Sequence, residues 1–353
     1  MNIAITGTGS YLPSLTIENS DFGSHEFLNE DGTPFKQNNE IIIQKFKGIT
    51  GIKERRYAKE NINNSHLAFY AAEKAIADAD IDKEELDYII FAHNFGDVSH
   101  GKTQGDTLPS LATRVKNLLK INNPRCVAYD LLFGCPGWIE GVIQANAFIK
   151  SGIAKKCLVI GSETLSRVVD PHDRDSMIYS DGAGATVIEA KEDAGQILSH
   201  ASATYANDEA YFLFFGESYS KELKQTDTRF IKMYGRKIYE FACTHVPQAM
   251  KECLDKSGVN ITEIKKIFIH QANEKMDEAI IKRFYKLFGM DMPEGIMPMN
   301  IEKLGNSSVA TIPTLFDMVK NGKVENQSIQ KGDIVLFASV GAGMNINAIV
   351  YKI

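Results

Sequence analysis

The sequence predicts an α/β protein of two similar halves, about 1–205 and 206–353, packed as one layered unit with a pair of helices buried between sheets. Three recurrences in the same order carry that expectation. Leu86-Asp87-Tyr88-Ile89-Ile90-Phe91-Ala92-His93-Asn94 and Ile264-Lys265-Lys266-Ile267-Phe268-Ile269-His270-Gln271-Ala272-Asn273 are each an apolar strand that ends at a histidine. Gly134-Cys135 and Gly305-Asn306 each open a helix that stops on Lys-x-Gly, at Lys150-Ser151-Gly152 and Lys320-Asn321-Gly322. Leu158-Val159-Ile160-Gly161 and Val335-Leu336-Phe337-Ala338 are the strands that follow. One such match would be chance likeness between amphipathic segments; three in one order mark a duplicated βα unit.

Taken in chain order, 3–6 reads as a short buried strand closing on a Gly7-Thr8-Gly9-Ser10 turn. The stretch 19–39 is polar, with Asn29-Glu30-Asp31-Gly32-Thr33-Pro34 as a loop signal. Ser65 is placed to cap a helix through Leu67, Ala71, Ala75 and Ala79, and 87–93 follows as a buried strand. The segment 94–107 is a loop of a length that often carries function. A helix over 108–119 and a strand over 125–132 lead into Cys135. Beyond that helix come a strand at 157–161, a Gly-rich turn at 180–185, and strands at 186–189 and 197–204. In the second half a helix over 237–256 precedes the strand that ends at His270.

Composition narrows the function classes. A chain of 353 residues is natural for two domains, and 44% hydrophobic with 24% charged residues is ordinary for a globular protein. The net charge of −6 gives no electrostatic reason to expect nucleic acid. Five cysteines, at 126, 135, 157, 243 and 253, form neither a disulfide framework nor a metal pattern and fit a reducing compartment. The glycine-rich turns at Gly7, Gly182 and Gly341 lack a Gly-Lys-Ser/Thr signature, so they read as places of close backbone approach rather than phosphate loops; no metal and no bound cofactor is expected. The N-terminus has no basic region with a long apolar core, and no run approaches the roughly 20 apolar residues of a membrane helix. The cytoplasm is the expected location.

Cys135 follows an apolar strand and precedes Pro136, which suits a first helical turn because its missing N–H would have gone unpaired. A thiol there sits beside free N–H groups and the positive end of a helix dipole, which favours the thiolate. The competing reading is a core cysteine packed as a small hydrophobe, as Cys126 and Cys157 are expected to be. His270 and Asn306 bear on that choice, since the repeat sets Asn306 at the helix start equivalent to that of Cys135 and His270 at a strand end. A lone histidine is more often a satisfied core residue, and Asn306 alone reads as an N-cap, a role it can combine with facing a pocket. If the three converge, a thiolate takes an acyl group while His and Asn donate hydrogen bonds to a second carbonyl as it becomes an enolate. That is the equipment of a Claisen condensation between thioesters.

The motifs resemble those of the β-ketoacyl-acyl carrier protein synthase III family of thiolase-like condensing enzymes. The likeness runs through Gly7 to Pro13, Thr50-Gly51-Ile52-Lys53-Glu54-Arg55-Arg56, Gly134-Cys135-Pro136-Gly137 and Asp170-Pro171-His172-Asp173-Arg174. It continues through Asp181-Gly182-Ala183-Gly184-Ala185, His270-Gln271-Ala272-Asn273, Gly305-Asn306-Ser307-Ser308 and Gly341-Ala342-Gly343. The resemblance implies a layered αβαβα fold, a homodimer, and acyl carrier protein or acyl-CoA thioesters as partners. It implies Cys135 as the acylated nucleophile, His270 and Asn306 as the decarboxylation and enolate-stabilising pair, and the amides of Cys135 and Ala342 as an oxyanion hole. Leu108 falls where the family gates the acyl pocket across the dimer interface, with Phe133 beside it in that pocket. Lys275, Lys282, Arg283 and Lys286 are either a carrier-protein docking face or an ordinary solvated helix face.

Departures from the family are equally informative. Many members that load acetyl-CoA clamp its adenine between a Trp and an Arg, where this chain has Lys45 and Ile49. Extra residues around 27–35 and a longer 94–107 loop both argue against a standard housekeeping starter enzyme, and the loop resembles that of a specialised branch that makes dialkylresorcinols or related aryl lipids. Two rival functions remain: a catalytically silent partner subunit, and a thioesterase-like hydrolase using the same cysteine.

Overall fold

The computed structural model describes residues 2–192 and 194–353. In chain order the elements begin with β1 (Ile3–Tyr11), the short strand β2 (Leu15–Glu18), helix α1 (Asn39–Thr50), β3 (Glu54–Tyr57) and α2 (Asn64–Ala79). They continue with β4 (Tyr88–Ala92), α3 (Leu111–Leu118), β5 (Val127–Leu131), α4 (Gly137–Lys150), β6 (Lys156–Thr164) and β7 (Asp181–Ala190). The second half has β8 (Gln196–Thr204), β9 (Leu213–Glu217), the one-turn α5 (Lys221–Lys224), β10 (Arg229–Met233) and α6 (Gly235–Ser257). It ends with β11 (Ile264–Ile269), α7 (Glu274–Lys286), the one-turn α8 (Ile301–Leu304), α9 (Thr311–Lys320), β12 (Ile334–Gly341) and β13 (Asn345–Lys352).

Two sheets repeat one topology. The first has strand order β1-β7-β6-β4-β5 and the second β8-β13-β12-β11. β1 with β7 and β8 with β13 are antiparallel, as are β7 with β6 and β13 with β12. β6 with β4 and β12 with β11 are parallel. All three sequence recurrences therefore fall on equivalent elements. β8, which precedes residue 205, is the counterpart of β1 and lies in the second sheet, so the chain changes sheets between Ala190 and Gln196.

Period-two alternation sorts each strand's side chains between layers. Ile90, Val159 and Ile188 of the first sheet and Phe268, Val335 and Phe337 of the second point inward onto α4 and α9. Ile89, Phe91, Leu158 and Val187 point outward onto α2 and α3. Ile267, Ile269, Leu336 and Val350 do the same beneath α6 and α7. The result is the αβαβα layering, with α4 and α9 buried nearly all round because both sheets cover them. Trp138 of α4 locks this centre: it is buried, packs edge-on against Phe337, and its indole N–H donates to Thr186 Oγ1 at 3.2 Å.

Two expected turns are strand instead. Gly7-Thr8-Gly9-Ser10 lies within β1, and the 181–185 stretch lies within β7. The glycines serve close approach: a Cβ on Gly7 would lie 2.2 Å from Ala75 O, and one on Gly9 2.4 Å from Ala71 O. Their absence lets the alanine face of α2 rest directly on the sheet. Ser65 is not the cap of α2, whose N-cap is Asn63; both its N–H and its hydroxyl donate to Asp97, at 2.8 and 2.7 Å. That carboxylate, held also by Arg114, pins the 94–107 loop. The helix expected over 108–119 begins only at Leu111.

Candidate active site

β5 ends at Leu131, and the chain turns through Gly134 at φ +66° before α4 starts at Gly137. This turn packs backbone to backbone against the end of β12. A Cβ on Gly134 would lie 2.7 Å from Ala342 N, and one on Gly341 only 2.3 Å from Cys135 N. Residues with side chains would push the two segments apart, so the glycines bring the Cys135 and Ala342 amides side by side.

The Cys135 thiol does not have the lowered pKa expected from a helix start. It is pushed up to about 11, first because protein walls surround it, with the Glu163 carboxyl adding to the rise. The helix terminus offers little compensation, since the Gly137 N–H is already bonded to Gly134 O at 3.0 Å. What opposes the rise is first the Ser308 hydroxyl, which donates to Cys135 Sγ at 3.3 Å, and then the backbone N–H of Cys135 itself. Cys135 is half-buried whereas Cys126, Cys157, Cys243 and Cys253 are buried. Alkylation by iodoacetamide should therefore map to Cys135 and accelerate about tenfold per pH unit from 7 to 9, following the thiolate fraction. A plateau below pH 8, read by peptide mass spectrometry, would contradict a raised thiol pKa.

His270 follows β11, tied by its N–H to Ala338 O at 2.9 Å, and is 5% exposed. Burial lowers its pKa to about 4, so the ring is neutral at pH 7 and carries one N–H donor. Asn306 precedes a 3-10 turn, Ser308–Ala310, that leads into α9. Its Oδ1 accepts the Ser308 N–H at 2.7 Å, which assigns the amide orientation and leaves the Nδ2 group as the face it can present. His93, the repeat counterpart of His270, lies with Nε2 3.0 Å from Asp130 and Nδ1 accepting the Gly96 N–H, a structural role.

Cys135, His270, Asn306, Ser308 and Ala342 line one cavity of about 610 Å³. Its walls are largely apolar: Ile42, Phe46 and Ile49 of α1, Leu213 and Phe215 of β9, Ile231 and Met233 of β10, and Phe95 at the root of the 94–107 loop. Lys45 and Ile49 stand on this wall, along with Arg174 and Arg236. The extra residues near 27–35 back the same region: Phe27 is buried in the adjoining cluster and Phe35 lies under the Arg174 guanidinium. Neither Leu108, which is 89% exposed, nor Phe133 lines the cavity. On α7, Lys282 pairs with Glu278, Lys286 with Asp291, and Arg283 donates to the Cys243 carbonyl. Exposed Lys275 is the one of the four beside cavity-lining residues, Asn273 and Met276.

Sequence reasoning missed Ser308, Asn94 and Glu163. Glu163 did carry a signal, since a carboxylate stands next to last in β6, just beyond the apolar run Cys157–Ile160. The β9–β10 wall carried none that distinguishes it from other short strands.

Duplicated halves sharing a central helix pair are the thiolase-like fold, the class to which condensing acyltransferases belong. Residues 129–206 match the model of 3-oxoacyl-[acyl-carrier-protein (ACP)] synthase III, and residues 254–353 match that of its C-terminal region. A β-ketoacyl-[acyl-carrier-protein] synthase III of Vibrio vulnificus is 36% identical over 96% of each chain. The crystal structure of the Aquifex aeolicus synthase III is similar at TM-score 0.80 and 31% identity, covering 99% of this chain and all of that one. A priming β-ketosynthase of the R1128 polyketide pathway shares the fold at TM-score 0.81 and 22% identity, covering 99% of this chain and 96% of that one. The chain belongs to the β-ketoacyl-[acyl-carrier-protein] synthase III family of condensing enzymes. Among the described residues, no helix is long and apolar enough to cross a membrane.

Proposed function

We propose that the protein condenses two acyl thioesters through an acyl-Cys135 intermediate. Cys135 gives up its proton to solvent and its thiolate attacks the first thioester carbonyl, while the oxyanion takes hydrogen bonds from the Cys135 and Ala342 amides; the donor C–S bond then breaks and the departing sulfur takes a proton back from solvent. A second thioester, carrying a carboxylate on its α-carbon, then loses carbon dioxide, and the electron pair of the broken C–C bond becomes an enolate whose oxygen is held by His270 and Asn306. Its carbon attacks the acyl carbon and expels the Cys135 thiolate. The observation that carries this reading is that Cys135, a neutral His270 and an Asn306 amide with its acceptor already engaged line one cavity. A cysteine hydrolase would want a base on the sulfur, and the group that bonds to Cys135 Sγ is the Ser308 hydroxyl. A homodimer is part of this reading, and the 89% exposure of Leu108 in the single chain supports a place for it at the partner's acyl pocket. Incubation with one acyl thioester, then with two, tests the reading: a new β-keto product only in the second case supports it, and free acid in both overturns it.

The apolar walls and the departures near the mouth favour a specialised product, with a β-ketoacyl chain joined to a second acyl chain toward a dialkylresorcinol-type lipid. The donor is an acyl carrier protein thioester. Lys45 and Ile49 offer neither a flat π face nor a planar guanidinium for adenine. Lys275, with Lys45, Arg174 and Arg236 around the cavity, suits an acidic carrier and its phosphate. Acylation of Cys135 should be faster from acyl carrier protein than from the matching acyl-CoA at low ionic strength, and the advantage should shrink with salt. Time courses at two salt concentrations check this; equal rates, or a CoA preference indifferent to salt, contradict it.

A further inference from the structure

Glu163, at the end of β6, is 1% exposed, and one of its oxygens accepts two hydrogen bonds from Asn94: the backbone N–H at 2.6 Å and the side-chain Nδ2 at 2.7 Å. The second Nδ2 hydrogen reaches Ser308 Oγ at 3.3 Å, and the Ser308 hydroxyl in turn donates to Cys135 Sγ. All the bonds run one way. The carboxylate takes the Asn94 donors at one end, so Asn94 presents a donor to Ser308, and the Ser308 hydrogen is thereby directed at the sulfur at the other end. Ser308 is itself held by Asn306 through its N–H and by a left-handed backbone at φ +53°.

We propose that Asn94 and Ser308 are positioning residues that hold a hydrogen-bond donor on the Cys135 sulfur, with Glu163 as their anchor. The donor serves the thiolate, which accepts a hydrogen bond far better than a thioester sulfur does. It therefore favours the state that attacks in acylation and the state that departs in condensation. Ser308 gives a hydrogen bond and takes no proton. Glu163 has a second, opposing influence: burial raises its pKa to about 7, and its charge, about half present at pH 7 and complete by pH 9, disfavours a thiolate nearby. The titratable groups that bear on Cys135 are Glu163 of β6, Tyr179 before β7 and His270 after β11. Those that bear on Glu163 are His93 after β4 and Asp181 of β7.

The signs of the variants separate this from a packing role. Ser308→Ala should slow Cys135 alkylation by iodoacetamide about tenfold at each pH from 7 to 9, the loss expected for one hydrogen bond to a charged group. Ser308→Gly, which suits the left-handed backbone, should do the same, and Asn94→Ala should slow it severalfold. Glu163→Gln should instead speed alkylation, more at pH 9 than at pH 7, because glutamine keeps an acceptor for Asn94 and removes a charge that is complete only above pH 7. Thermal melting confirms that each variant is folded. Unchanged rates in both Ser308 variants, or slowing in Glu163→Gln, overturn the proposal. It rests on Cys135 as the nucleophile, but alkylation reads the thiol without an acyl substrate, so it and the condensation reading can fail separately.

Discussion

Replacing Cys135 with alanine is expected to reduce acyl transfer to background while the protein stays folded. A methyl group has no lone pair to attack a thioester, so the covalent intermediate cannot form. The structural cost is small. The side chain is half-buried at a cavity floor, and the substitution removes one hydrogen bond, from Ser308. The turn itself depends on Gly134 and Gly341 rather than on the sulfur. Intact mass after incubation with an acyl thioester should show the acyl increment on the parent protein and none on Cys135→Ala, with closely similar melting temperatures. Undiminished condensation by the variant would remove Cys135 from the mechanism.

His270→Ala and Asn306→Ala should divide the reaction differently, each slowing condensation by about 10²–10³. Each removes one donor to the enolate oxygen, a charge that develops only in the second step. His270→Ala should still acylate Cys135 at close to the parent rate, because the histidine is neutral and is not bonded to the sulfur. Asn306→Ala should also acylate, though severalfold more slowly, since its Oδ1 holds the Ser308 N–H. The pH dependence sharpens the test. With a pKa of about 4, His270 stays neutral from pH 5 to 9, so its contribution should be flat across that window. Rapid quench with a labelled acyl donor resolves the two steps; loss of acylation in both variants would move their role to the first one.

Much of the fold was legible because strand and helix patterns are local. The recurrences at Leu86–Asn94 and Ile264–Asn273, at Gly134 and Gly305, and at Leu158 and Val335 each record one face or one turn, and each landed on equivalent elements of two sheets. The glycine clusters at 7–10 and 181–185 misled for the converse reason. A glycine that widens a turn and a glycine that admits a neighbouring helix look alike in one dimension, and α2 reaches Gly7 from far along the chain.

By itself the sequence determined the duplicated α/β architecture, the family's motifs in order, and the candidacy of Cys135, His270 and Asn306. Tertiary structure alone decided the electrostatics of the site. The helix start that should have lowered the Cys135 pKa was outweighed by desolvation within walls drawn from α1, β9, β10 and the 94–107 loop. It also decided what touches the sulfur. Ser308 lies 173 residues from Cys135, and Asn94 lies 214 residues from Ser308. Their alignment with Glu163 arises only when β4, β6 and the start of α9 meet at one end of the first sheet. Hydrogen bonds and desolvation act over a few ångströms in space, and no local periodicity encodes which distant residues will occupy them.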